Sequence, residues 1–350
     1  MGKFFFALLI FVPLSVAAAY LGASGTVVFF LSAIAVVPLA KYIGEATEEL
    51  ASRTTPALGG LLNATFGNAP ELIIGLFALN AGLVDVVKAS ITGSIVGNLL
   101  FVLGMSMFAG GWREEKQTFN RTGVLAAGST LFIGAVALII PAVFAYTQVG
   151  EAIAGLSVER LSLVVSAALM LMYVSTLVFS LHTHKHLYLG EVGRYEPRWS
   201  TARSLVVLCA ATLAVAWVSD LLVASIEPVL AALHWSALFV GVVIIAIIGN
   251  AAEHFSAVNV ARKGRMDLSL YISIGSATQI ALFVAPFLVF ASLALGRPMN
   301  FLFDTFELVS IVLSVFAVNL IVADGESNWL EGVQLMVAYA IIAVAFFFHP

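Results

Sequence analysis

The sequence predicts an all-α integral membrane protein of 11 transmembrane helices, arranged as one extra helix followed by two inverted five-helix repeats. Three observations predict it. Of 350 residues, 61% are hydrophobic and 10% charged. A soluble domain carries about a quarter charged residues, so this chain lacks the polar surface to coat a water-soluble globule. Apolar runs of spanning length recur from end to end. The chain also repeats itself, since a shift of 182 positions lays 67–102 on 249–284 without a gap.

A span needs about 20 apolar residues. On that basis the segments fall at 4–22, 26–43, 57–80, 86–109, 123–146, 160–181, 203–225, 235–261, 268–292, 304–323 and 330–348. Polar breaks separate them, such as Trp112 to Lys116 and Gly190 to Thr201. The division that follows is 1–22 for the extra N-terminal helix, 23–181 for the first repeat, 182–202 for a linker and 203–350 for the second repeat. The first segment has small residues from Ser15 to Ala19 that would suit cleavage before Tyr20. It is also long enough to span, and is read as a retained helix.

Lys and Arg set the orientation. With 11 spans, one side collects thirteen: Lys3, Lys41, Arg53, Arg113, Lys116, Arg121, Lys185, Arg194, Arg198, Arg203, Arg262, Lys263 and Arg265. The other keeps three, Lys88, Arg160 and Arg297. Positive charge stays inside, so the N-terminus is expected in the cytoplasm and the C-terminus outside, in the cell membrane.

The repeat is carried by polar and small residues, which chance alignment of apolar helices does not match. Identical pairs are Gly67/Gly249, Asn68/Asn250, Ala69/Ala251, Glu71/Glu253, Gly82/Gly264, Asp85/Asp267, Gly93/Gly275 and Ser94/Ser276, with a closing Leu-Phe-Val at 100–102 and 282–284. Five is an odd number of spans, so the halves enter the membrane from opposite sides. Inverted repeats of this kind place a binding site at the midplane between the halves.

Several functions are excluded early. The net charge of −4 leaves no basic face for nucleic acid. Cys209 stands alone, so there is no disulfide framework or thiolate metal site, and it reads as an inert packing residue. No His-Glu-x-x-His, nucleophile elbow or phosphate loop occurs, so neither an enzyme nor a resident cofactor is expected. Partners reduce to transported ions and the lipid bilayer, with self-association left open.

An ionisable residue at bilayer depth marks a functional site by default. Asn68 and Glu71 are three apart, as are Asn250 and Glu253, so each pair shares a helical face. Gly67, Pro70 and Gly249 weaken the helices there, and a broken helix frees carbonyls to line a cavity. The following helices add Ser94 with Asn98, and Ser276 with Gln279, again at same-face spacing. Two carboxylates are thus surrounded by amide, hydroxyl and carbonyl oxygens. Ca2+ takes six to eight such oxygens, whereas Zn2+ favours nitrogen or sulfur. Two negative charges match a divalent ion. Without metal, both dehydration and mutual repulsion favour protons on the two acids, so the site holds Ca2+ or protons.

The stretches Gly59 to Ile73, Ser90 to Asn98, Gly249 to His254 and Gly275 to Ala281 give the chain a likeness to a known family. Over essentially its whole length it resembles the Ca2+/H+ antiporters (cation exchangers) of the calcium/cation antiporter superfamily. The resemblance implies that Glu71 and Glu253 bind Ca2+ and protons, aided by Asn68, Asn98, Asn250, Ser94, Ser276, Gln279 and backbone carbonyls near Asn68 and Asn250. His254, beside Glu253, is a candidate to tune or relay its proton, against a packing role. The alternative within the superfamily is a Na+/Ca2+ exchanger, whose motifs are usually richer in Ser with one Glu and one Asp.

Other polar residues divide between function and solvation. The acidic run Glu45 to Glu49 either draws Ca2+ to an entrance or forms an interfacial turn, and Asp324, Glu326 and Glu331 share that ambiguity. His182, His184 and His186 read as a wet loop rather than a sensor. Asp85 and Asp267 read as helix caps.

Overall fold

The structure is a computed structural model that describes residues 2–112, 114–147, 151–184 and 197–349. Arg113 and His186 lie outside the described residues, as does most of the linker. In hydrocarbon every backbone N–H and C=O needs an internal partner, which a helix supplies within one segment. Among the described residues the chain is accordingly helical, apart from a short antiparallel pairing of Gln117 with Ser327 and Thr118 with Glu326.

Nine of these helices are long and apolar enough to cross a membrane. A tenth span results if Ala237–Gly249 and Ala251–Ala261, bent by 59° at their junction, count as one. The segment expected at 57–80 is two shorter helices, Pro56–Phe66 and Ala69–Asn80. Both interruptions fall on the asparagine of the repeated motif. Two π-helical turns also take matching places, Gly97–Val102 and Ile280–Val284. Such turns appear mostly inside α-helices at functional sites.

Close packing depends on glycine at two helix pairs. A Cβ on Gly104 would stand 2.8 Å from the Gly332 carbonyl, and one on Gly332 would stand 2.6 Å from the Gly104 carbonyl. Leu103–Gly111 and Trp329–Phe348 therefore meet backbone to backbone, the usual device where apolar side chains give helices no preference over lipid. Gly93 and Gly241 do the same for Val84–Val96 and the π-helical turn Val240–Ile245. The outer faces are apolar, with Leu171, Leu213 and Ile341 exposed where lipid would cover them. Cys209 belongs to that outer face and does not pack inside as expected. Its neighbours Leu208 and Ala211 take the inward side of Thr201–Ala224 instead.

The polar ends depart from the sequence reading in instructive ways. The helix expected at 26–43 runs from Gly25 to Ala51, because Glu, Ala and Leu propagate it past Gly44. Glu45 to Glu49 is therefore helix, not a turn. Glu45 pairs with Lys41 one turn back. Glu49 is buried and accepts the Arg198 N–H at 2.9 and 3.0 Å and the Trp199 N–H at 3.0 Å.

Asp85 and Asp267 sit in the first turns of their helices but are not the caps, which are Leu83 and Arg265 without side-chain bonds. Asp267 instead accepts the Asn120 N–H at 2.5 Å. Glu331 closes a capping box with Asn328, and Glu326 pairs with Lys116 at 2.6 Å, which holds that exposed ammonium's pKa above its ordinary value. Asp324 accepts the Glu326 N–H at 3.0 Å. His184 stacks on Phe179 with ring centroids 4.1 Å apart.

Candidate ion-binding site

The site is built on the two interruptions. Asn68 has φ −104° and ψ 22°, and Asn250 has φ −87° and ψ 12°. Both lie off the helical basin, in the bridge region. In the first copy Pro70, second residue of the new helix, has no N–H to satisfy, so the first turn forms at little cost. Glu71 and Glu253 consequently occupy the first turns of Ala69–Asn80 and Ala251–Ala261, where the helix dipole favours negative charge.

The carbonyls of Asn68 and Asn250 are not themselves free. These two accept the N–H groups of Leu72 at 3.0 Å and His254 at 3.1 Å as the following helices begin. Carbonyls without intrahelical partners belong to the turn before each break, where the preceding helix ends.

Side chains from four segments meet between the breaks. Asn98, fully buried, donates to the Asn250 side-chain oxygen at 2.8 Å and to the Ser276 hydroxyl at 2.9 Å. Asn250 donates to the Ser94 hydroxyl at 2.8 Å and to the Ala246 carbonyl at 2.9 Å. Asn68 donates to the Gln279 side-chain oxygen at 2.5 Å. Each amide spends its hydrogens on protein acceptors, and oxygens are what remain.

Asn68 Oδ1, Asn98 Oδ1 and both carboxylate oxygens of Glu71 are buried without a hydrogen-bond partner. Buried polar atoms are nearly always paired, so four orphaned oxygens on the segments that meet at the breaks call for an explanation. All four are acceptors, which is what a cation requires. Glu71 lies within electrostatic reach of Glu253, and its side chain packs on Gly249 of the second motif. Among the described residues no three His, Cys, Asp or Glu side chains form a metal cluster. A cation held here would have two acids and a set of neutral oxygens.

His254 is buried with its ring edge toward Phe101 at 6.0 Å, outside the hydrogen-bonded set. Beside the Glu253 helix lies a cavity of about 370 Å³, lined by Ala252, Phe255, Ser256 and Asn259 from that helix, with Lys41 and Glu48 opposite. Sequence reasoning missed this cavity, although Ser256 and Asn259 follow Glu253 at three-residue spacing. It also missed Glu307, which is buried, accepts the Thr92 hydroxyl at 3.1 Å and closes a capping box with Asp304. Its position at the start of a span disguised a buried acid as an interfacial one.

Comparison with known proteins places this arrangement. The sodium/calcium exchanger protein family matches residues 24–182 and 203–348. A Ca2+/H+ antiporter of Synechocystis is 47% identical over 366 aligned residues, covering 99% of this chain and 98% of its own. The crystal structure of the Ca2+/H+ antiporter protein YfkE is 40% identical, with a TM-score of 0.86 over 99% of this chain and 100% of that one. A structure of the sodium-calcium exchanger NCX_Mj is 17% identical with a TM-score of 0.55, covering 92% of this chain and 98% of that one, and shares the fold. Near-complete coverage at this identity shows that the chain belongs to the Ca2+/H+ antiporters within the sodium/calcium exchanger family.

Proposed function

We propose that this chain is a secondary active antiporter that exchanges Ca2+ for H+ by alternating access. One observation carries the mechanism: the unbonded oxygens of Asn68, Glu71 and Asn98 lie on the segments that hydrogen bonds and the Glu71–Gly249 contact bring together at the two breaks. In this reading Glu71 and Glu253 bind Ca2+ or protons. Asn68, Asn98, Asn250, Ser94, Ser276 and Gln279 contribute oxygens or fix those that do, and His254 tunes the proton on Glu253. Unpaired charge in a dehydrated site is costly, so the acids release the metal as they take up protons. Exchange results when only loaded states cross between the two faces.

The finer architecture belongs to the same proposal. Counting each broken pair as one span gives eleven, with 1–22 outside two inverted repeats at 23–181 and 203–350 and a linker at 182–202. The matching breaks and π-helical turns support the repeat. The thirteen-to-three distribution of Lys and Arg supports a cytoplasmic N-terminus and an external C-terminus in the cell membrane.

The decisive experiment is Ca2+ movement into proteoliposomes under an imposed pH gradient, with and without Na+. Uptake that requires the pH gradient and ignores Na+ is expected. Uptake that follows Na+ instead would move the chain to Na+/Ca2+ exchange.

A further inference from the structure

A cluster that the ion site does not use lies where the linker rejoins the bundle. The spans Gly25–Ala51 and Thr201–Leu233 pack along each other, and the first ends close to where the second begins. Trp199, just before the second span, is half-buried and carries two arginines. Arg53 donates through Nη2 to the Trp199 carbonyl, and the Arg203 guanidinium lies 4.7 Å from the centre of the Trp199 ring. Glu49 fixes the backbone there by accepting the Arg198 and Trp199 N–H groups.

Arg53 and Arg203 are both exposed, and among the described residues neither enters an ion pair. A guanidinium has five N–H donors in a planar fork. Arg53 spends one of them on Trp199, and Arg203 meets the indole through its charge, which spends none. The donors left over form a charged set whose geometry matches a phosphate. Its depth is that of lipid headgroups, because it sits at the ends of two spans and is built around a tryptophan. Val206, three residues after Arg203 and so on a neighbouring part of the helix face, is 67% exposed, and Leu213 farther along is 72% exposed. A phosphate on the arginines would therefore have apolar helix surface beside it for acyl chains.

We propose that Arg53, Trp199 and Arg203 form a binding site for the headgroup phosphate of an anionic phospholipid. Arg53 follows one span and Arg203 opens another, so a single headgroup ties together segments 150 positions apart. A zwitterionic headgroup brings its own cation to the two guanidiniums and gains less from them. An anionic one presents net negative charge to a place that lacks a carboxylate partner for either arginine. None of these residues belongs to the ion site, so the lipid site stands apart from the transport reading.

Native mass spectrometry of the full chain in detergent, titrated with phosphatidylglycerol or phosphatidylcholine, tests it. The first phosphatidylglycerol is expected to bind more tightly than the first phosphatidylcholine. A basic residue at an anionic lipid surface contributes about fivefold in affinity, so Arg53→Gln with Arg203→Gln should weaken that first binding by about tenfold or more. The control, Arg262→Gln with Lys263→Gln, removes the same charge from another exposed basic pair and should change it by less than about twofold. Equal weakening by both pairs, or none by the arginine pair, would overturn the proposal. Arg203→Gln alone breaks no side-chain hydrogen bond and covers the case in which the double variant does not fold. It should weaken binding by about fivefold, and unchanged binding would again overturn the site. Inorganic phosphate is the second probe, read by thermal unfolding of lipid-stripped protein. Phosphatidylglycerol is expected to raise Tm and phosphate to leave it unchanged. An equal rise with phosphate, lost in Arg203→Gln, would make this a site for a soluble anion and overturn the lipid assignment. No readout involves Ca2+ movement, so failure of the transport reading would leave all of them unaltered.

Discussion

Glu71 rests on Gly249. A Cβ at that glycine would stand 3.2 Å from the glutamate Cγ and 3.4 Å from its Oε1. The contact joins the acid of the first motif to the opening residue of the second, across 178 positions of chain. It also explains a glycine that needs no special backbone angle. The space it leaves is the space the carboxylate occupies.

Gly249→Ala should therefore displace Glu71 by a few tenths of an ångström without unfolding the protein. Its expected effect is a several-fold higher KM for Ca2+ with little change in Tm. Gly249→Val adds two further carbons in a filled space, where overpacking costs about 1–3 kcal/mol, and should lose most exchange. Initial rates across a Ca2+ series in proteoliposomes check both.

Glu71→Gln and Glu253→Gln each keep shape and hydrogen bonding but cannot ionise. Both are expected to abolish exchange while eluting and melting like the parent protein. Normal Ca2+/H+ exchange by either variant would remove that residue from the site.

Asn250 is the hub of the hydrogen-bond set, with three side-chain neighbours. Asn250→Leu strands buried groups on Ser94 and Asn98, each at about 1–3 kcal/mol. A drop in Tm together with lost exchange is expected. Gln279→Leu, which frees only Asn68, should lower Tm less. Thermal unfolding of the two variants in the same detergent decides the order.

Glu49 makes a separate prediction, away from the ion site. Its carboxylate fastens the backbone at Arg198 and Trp199, Arg53 donates to the Trp199 carbonyl, and Arg203 lies 4.7 Å over the Trp199 ring. A hydrogen bond to a charged group is worth about 1.5–3 kcal/mol. Glu49→Ala should lower Tm clearly and leave the KM for Ca2+ near the parent value. A raised KM with unchanged Tm would instead place Glu49 on the ion's route.

What the sequence made legible follows from the cost of polar groups in hydrocarbon. Glu71, Glu253 and their asparagines stood out because nothing apolar explains them, and the 182-residue echo tied them together. Orphaned oxygens could not be read, since they depend on which way each amide spends its hydrogens. Asp85 and Asp267 misled because a first-turn acid and a capping acid occupy adjacent positions and look alike in a string. Glu49 looked like one more interfacial charge because its partners are backbone N–H groups roughly 150 positions away, which leave no mark in composition. Cys209 shows the same limit for faces. In a helix apolar on every side, the pattern does not say which side meets lipid.

The π-helical turn Gly97–Val102 has a consequence for length. Such a turn holds one residue more than the α-helical path through the same space, so it rotates everything after it by about 100°. Gly104 is the second residue after it, and the side of the helix that meets the Gly332 backbone is set by that rotation. Deleting a single residue from the turn would let the helix relax to regular geometry and swing Gly104 away from its partner. The same holds at Ile280–Val284 for the helix that follows. In these two turns the number of residues is constrained along with their identity, for both close on the same Leu-Phe-Val at 100–102 and 282–284.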